Sequence, residues 1–570
     1  MRLILVLLLT YTLFASEEEV VRRVYSHLLI HDYRGAIAES EKGLVAHPDS
    51  QKVKKAYIRS LAENGKDDEA ISSLGRFGFK KEEVGSDLIE TLAWGILMRS
   101  ENSPQFVVNM ASLVSAYYTD DVRAVRMLLH QLSSSNALLR RAAAQLAAHY
   151  RDISLIEELV RLLSAEKNWF VRLEVIKALG AMEVKEIEEP LKKIIISSRT
   201  TLEEKGEAIA SLVNIYEEVG EEEFSKLVTS RRAGLRHLAC QIVSHLDLKE
   251  KASAICKLLD DPTSDVRIAA LNTLYFLGLK NLSSSTLSKI IDFTEDSHPP
   301  VALTAAWVTS RFAPETALQV IRKWIYSTDE SSRRLAAFIL GRIGSAGIPL
   351  ATQVFKITPD PFVKANLALG SIGQGGNHQK LSDTLYTFLL LRKGKLMWDH
   401  SENPLFELIA PSQICHIPQV PQYPTMVDQL TRLEILGMLA ALRCSKAEEA
   451  IKAFLKEEPF GVTYAASNTL LEEGGEEAIE ILRDLLQEKD QNIRVQAALV
   501  LALSGGESKA VQILHEAYPT VDRETKINIL GALGYIGDKA SIPFLMELLK
   551  EPHQVLKVVA ASALIQCVYH

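Results

Sequence analysis

His515-Glu516 opens like the zinc-binding H-E-x-x-H pattern, in which two histidines one helical turn apart share a face and the glutamate acts as base. Pro519 stands where the second histidine belongs, so this spacing does not make a zinc protease. Asp399-His400 and Cys415-His416 carry metal-capable side chains, but adjacent ligands lack the spacing from which zinc sites are built. The run Gly370-Ser371-Ile372-Gly373-Gln374-Gly375-Gly376 could cradle a phosphate; it follows a helical pattern instead of a strand and reads as a helix end and turn. Five cysteines, Cys240, Cys256, Cys415, Cys444 and Cys567, are odd in number and lack C-x-x-C spacing, which suits small buried hydrophobes better than a disulfide framework. No nucleophile elbow, phosphate loop or paired carboxylate stands out, so no catalytic residue, cofactor or metal ligand is assigned and no enzyme activity is expected.

A basic residue following an apolar one recurs instead, at Arg140, Arg172, Lys205, Arg236, Arg267, Arg333, Lys364, Arg432, Arg494 and Lys526. The intervals are 31 to 33 residues or about twice that, and units with degenerate anchors fall at Ala302, near Asp399 and at Thr463, giving about fourteen units. The segment from Ile255 to Gly278 shows the pattern: an apolar helix, the turn Asp260-Asp261-Pro262-Thr263-Ser264-Asp265, a second helix through Arg267 and Ala269-Ala270, and a glycine stop. Asp and Pro end one helix and cap the next. The paired alanines let helices approach closely. Arg267 can reach back to Asp261 or Asp265, so these anchors are read as structural ties.

Such units must belong to a chain of several domains or a repeat array, since 570 residues far exceed one hydrophobic core. Apolar residues form 47% and charged residues 24%, which excludes disorder, and an aromatic share of 7% with abundant Ala and Leu favours helices. The net charge of -8 and the scattering of basic residues in pairs such as Arg140-Arg141 and Arg333-Arg334 argue against a nucleic-acid partner. Residues 1–15 read as a secretory signal peptide: Arg2, an apolar stretch from Leu3, and Ala15 before Ser16-Glu17-Glu18-Glu19. That stretch is too short to span a bilayer and no later run is long enough, so the mature chain is expected to be exported, periplasmic or secreted, without an integral span.

Tyr33 to Ser50, with Ala36 and Gly43 seven apart and Pro48 closing the helix, resembles the second helix of a tetratricopeptide repeat, and Asn64-Gly65-Lys66-Asp67-Asp68-Glu69-Ala70-Ile71 resembles the turn and second helix of another. The 31-residue units, at Val266-Arg267 with Ala269-Ala270, at Ile493-Arg494 with Ala497-Ala498 and at Arg333 with Ala336-Ala337, resemble HEAT repeats of the short kind found in phycobilisome bilin lyases. The resemblance implies an all-α fold, a right-handed α-solenoid superhelix of stacked helix pairs, elongated and curved. The expected organisation is a signal peptide at 1–15, a TPR-like helical domain at 16–124, HEAT-like repeats at 125–392, a Pro-rich insertion at 393–429 and further HEAT-like repeats at 430–570.

The leading functional expectation is an exported, non-enzymatic scaffold or adaptor that binds another protein on its concave face. Alternatives are a lyase-like or cofactor-handling factor and an envelope structural protein that oligomerises through its ends. In the second helix of each unit the positions one and five after the anchor should point away from the core. Ile268, Leu303, Trp307, Phe338 and Leu369 occupy such positions and would form an exposed apolar groove for the partner. The last helix, Val555 to Val568, is apolar on nearly every side, so Val559 and Ile565 are expected at a terminal self-association interface unless an earlier segment folds back over them.

Overall fold

The computed structural model describes residues 16–79, 84–278, 282–373, 378–389, 435–457, 463–502, 504 and 507–569. The signal-like residues 1–15, the Pro-rich insertion and Arg432 lie outside the described residues. Among the described residues every regular element is helical, and none is long and apolar enough to cross a membrane. The chain divides into two compact units, one formed up to Gln131, from Glu458–Tyr464 and again from Leu482 onward, the other from Leu132–Glu457 and Ala465–Ile481.

The first unit begins with α1 (Glu17–Leu29), α2 (Tyr33–Ala46), α3 (Gln51–Glu63), α4 (Asp67–Arg76), α5 (Ser86–Ser100), α6 (Phe106–Tyr118) and α7 (Arg123–Leu132). Asp32 and Ser50 cap α2 and α3 by accepting from the backbone N–H three residues on. Ala36 is buried, and Gly43 sits where a Cβ would run into Val20 and Val53, so the small residues seven apart do set how closely α1, α2 and α3 pack.

The second unit continues with α8 (Ala137–Ala147), α9 (Ile153–Ala165), α10 (Trp169–Ala181), α11 (Glu188–Ile196), α12 (Leu202–Ile215), α13 (Glu221–Val228), α14 (Ala233–His245), α15 (Ala252–Lys257) and α16 (Ser264–Phe276). It goes on through α17 (Ser284–Asp292), α18 (Pro299–Thr309), α19 (Pro314–Ile325), α20 (Glu330–Leu340), α21 (Ile348–Ile357), α22 (Pro361–Gly373), α23 (His378–Leu389) and α24 (Ala447–Glu457). Each even-numbered helix from α10 to α22 is the second of a pair, and from α8 to α20 each packs directly on the next even-numbered helix.

α25 (Thr463–Leu485) bends at Gly475 and leads toward α26 (Gln491–Ala502), α27 (Ser508–Ala517), α28 (Arg523–Ile536), α29 (Ile542–Leu548) and α30 (Gln554–Tyr569). Within the first unit α30 packs on α28 and α29 and also on α5 and α6. The Ser562 hydroxyl donates to the Ser115 carbonyl at 2.7 Å, and Lys557 reaches Asp68 at 2.9 Å. Gly534 on α28 lies where any Cβ would collide with Ala563. Ile565 has no exposed surface and Val559 is half-buried. The expected terminal interface is therefore corrected: the opening helices fold back on the closing one and supply, within the chain, the apolar partner a second molecule was expected to supply.

A candidate protein-binding face

The repeat anchors form a ladder. Arg140 pairs with Glu166 at 2.7 Å, Arg236 with Asp261 at 2.5 Å, Arg267 with Asp296 at 3.1 Å and Arg333 with Asp360 at 2.8 Å, while Arg172 pairs with Glu204. Each acid lies at the start of the following unit's second helix. Asp261 also accepts from the Thr263 N–H, and Asp360 from that of Phe362, so one carboxylate caps its own turn and holds the preceding unit. Each arginine in turn donates to a carbonyl six residues back, as Arg267 does to Asp261 at 2.9 Å. Arg267 thus meets the backbone of Asp261, and its carboxylate partner is Asp296 of the next unit in place of Asp261 or Asp265. Burial raises the Asp261 carboxyl pKa, but the Arg236 guanidinium and the Thr263 N–H outweigh it and hold the group below its usual range.

The other anchors are less tied. Arg494 donates to the Glu488 carbonyl, Lys526 lies over the Tyr518 ring at 5.2 Å, and Lys364 is half-buried.

The residues expected to line an apolar groove are mostly interior. Leu303 and Phe338 belong to one buried cluster with Ala306, Ile321 and Leu350, Leu369 is 7% exposed, Ile268 is half-buried, and Trp307 packs against that cluster from its edge. A second helix in a stack touches its own first helix and the second helices on both sides, so three faces are covered where one apolar stripe accounts for one. The signal was present: α18 reads Pro-Pro-Val-Ala-Leu-Thr-Ala-Ala-Trp-Val-Thr, apolar all round, as a helix buried all round must be.

What remains accessible lies at the carboxyl ends of α16, α18 and α20. Tyr275 stacks on Trp307 with ring centres 3.8 Å apart, and Phe276, 42% exposed, meets Trp307 edge-on at 6.4 Å. Arg311 lies over Tyr275 and donates to its hydroxyl. Arg342 lies 3.6 Å from the Phe338 ring centre and donates to the Phe338 carbonyl. Sequence reasoning missed Tyr275, Phe276, Arg311 and Arg342, although Phe276, Trp307 and Phe338 recur at 31 residues and so do the two arginines.

Other sequence features resolve into packing. His515 contacts the Ser541 hydroxyl at 3.1 Å and stacks on Phe544. Cys240 and Cys567 are buried, with burial pushing the Cys567 thiol up to about 12. Gly370, expected at a helix end, is inside α22, where its Cα approaches Gly341, just after α20, so closely that a Cβ would meet backbone. His237, Gln241 and Asn272 are buried on α14 and α16, with His237 Nε2, Gln241 Oε1 and both Asn272 amide atoms unpartnered.

The stacking and the sequence agree on the class: the family model for HEAT repeats matches residues 125–217 and 485–565, and the described helices stack as an α-solenoid. Among solved structures it is similar to the myosin chaperone UNC-45 from C. elegans in complex with a Hsp90 peptide, at 13% identity over 97% of this chain and 81% of that one, with a TM-score of 0.35. Human deoxyhypusine hydroxylase matches at 17% identity over 45% of this chain and 97% of its own, with a TM-score of 0.21. The complex of CpcE and CpcF of phycocyanin lyase from Nostoc sp. PCC7120 matches at 14% identity over 48% of this chain and 95% of that one, with a TM-score of 0.22. No curated protein matches the sequence.

Proposed function

We propose that this protein is an exported, non-enzymatic scaffold that binds another protein along the second-helix face of its HEAT repeats. The observation that carries the reading is the uninterrupted packing of even-numbered helices from α8 to α22, tied by the arginine–carboxylate ladder, with Phe276 and half-buried Trp307 left at its edge. A face built from repeated, mutually braced helices presents preorganised contacts over a long stretch, which lowers the ordering cost of binding. Export is supported by the pattern of residues 1–15.

Photo-crosslinkers placed at Phe276, and as a control at Tyr326 beyond α19, test the reading in envelope extract. A stoichiometric protein adduct at 276 and not at 326 supports it. A retained chromophore or small molecule would favour the lyase-like alternative, and equal adducts at both positions would refute a defined face. Mass spectrometry of the mature amino terminus tests export, with a chain beginning at Ser16 expected and one beginning at Met1 or Arg2 contrary.

A further inference from the structure

The ladder neutralises several arginines of the second helices, and two arginines just past the ends of α18 and α20 are held differently. Arg140, Arg172, Arg236, Arg267, Arg333 and Arg334 each lie against a carboxylate. Arg311 and Arg342 have none among the described residues, in a chain whose net charge is -8. Each instead lies over an aromatic ring, Arg311 at 5.3 Å from the Tyr275 centre and Arg342 at 3.6 Å from that of Phe338, and each donates one N–H to that same residue, so a guanidinium with five donors keeps the capacity to fork onto an anion. Their positions are equivalent, 31 residues apart and just past the ends of neighbouring second helices. Burial pushes the Arg342 guanidinium down to about 10.

We propose that Arg311 and Arg342 read two acidic side chains of an extended peptide segment of the partner, laid across the ends of α16, α18 and α20 beside Trp307 and Phe276. This rests on the protein-binding reading and adds the chemistry of the partner. Packed helices are about 8–10 Å apart, and an extended chain advances about 3.3 Å per residue. The matching carboxylates are therefore about two or three residues apart. A chain with overall negative charge repels acidic peptides in general, so binding of one must come from a local pair such as this.

The test uses the full chain and fluorescein-labelled peptides of alternating Glu and Ser, alternating Gln and Ser, and alternating Lys and Ser, each twelve residues long, followed by anisotropy in low salt. The Glu peptide should bind saturably, and Arg311→Gln with Arg342→Gln should weaken it about tenfold, the loss of one or two charge-assisted contacts. Arg322→Gln with Lys323→Gln on α19 should leave binding unchanged. Arg311→Gln alone, at an exposed residue, gives the same direction should the double variant lose helix content. Equal binding of the Gln peptide, preference for the Lys peptide, no binding of the Glu peptide, or equal loss from the α19 variant would each overturn the inference. A protein adduct at 276 without acidic-peptide binding removes this inference and leaves the scaffold reading standing; absence of any adduct removes the scaffold reading itself.

Discussion

Truncating Ile565 to alanine tests whether the closing helix is held by the opening ones. Ile565 is fully buried on α30, which packs on α5, α6, α28 and α29. Removing three carbons forfeits about 2.4 kcal/mol at about 0.8 kcal/mol per methylene. The hole left behind adds about 1 kcal/mol, for a total of about 3–4 kcal/mol, inside the range of about 2–5 known for such truncations. Native-state hydrogen exchange is the assay of choice, since a chain of two units need not unfold in one step. Protection should fall several hundredfold, and it should fall together in residues 86–100, 106–118 and 554–569, because exposing one member of a packed set exposes all. Loss confined to 554–569, or no loss, would refute the docking of α30 on α5 and α6. The charged pair Val559→Glu, Ile565→Glu should accordingly unfold the first unit instead of dissolving a dimer, which circular dichroism beside sedimentation distinguishes.

Asp261→Asn should cost about 3 kcal/mol by leaving Arg236 without its counter-charge, with loss of protection spreading into both α14 and α16; a neutral result in urea denaturation would show the ladder to be ornamental. His237 is buried, and burial pushes its pKa down to about 4. Between pH 6.5 and about 4 the unfolded chain therefore binds a proton the folded one refuses, so stability should be full above pH 6.5 and fall by about 3 kcal/mol as pH drops through this window. His237→Leu should remove that part of the slope, and an unchanged pH profile would contradict it. Asn272→Leu replaces an amide with two unpartnered atoms by an apolar side chain of like size and should be neutral or raise stability by about 1–3 kcal/mol; clear destabilisation on thermal melting would show that the amide is satisfied.

The helical class, the 31-residue period and the arginine anchors were legible in the sequence because each rests on contacts within a unit or between units adjacent along the chain. The residues that cap the helices are legible for the same reason, whereas the acid that receives Arg267 is Asp296, 29 residues downstream, and the local pattern points instead to the nearer Asp261 or Asp265. Gly43 and the alanine pairs likewise announce close approach by their size. Burial of Leu303 and Phe338 was not legible from one stripe, since it comes from neighbouring second helices on both sides, and only the all-apolar character of α18 hinted at it. The fold-back onto α30 was beyond any such pattern. Ser562 meets Ser115 across 447 residues, and no periodicity says which distant surface will cover an apolar helix. Local propensity and repeat spacing act along the chain, whereas the pairing of its first helices with its last is decided by shape and small-residue fit, as where Gly534 admits Ala563.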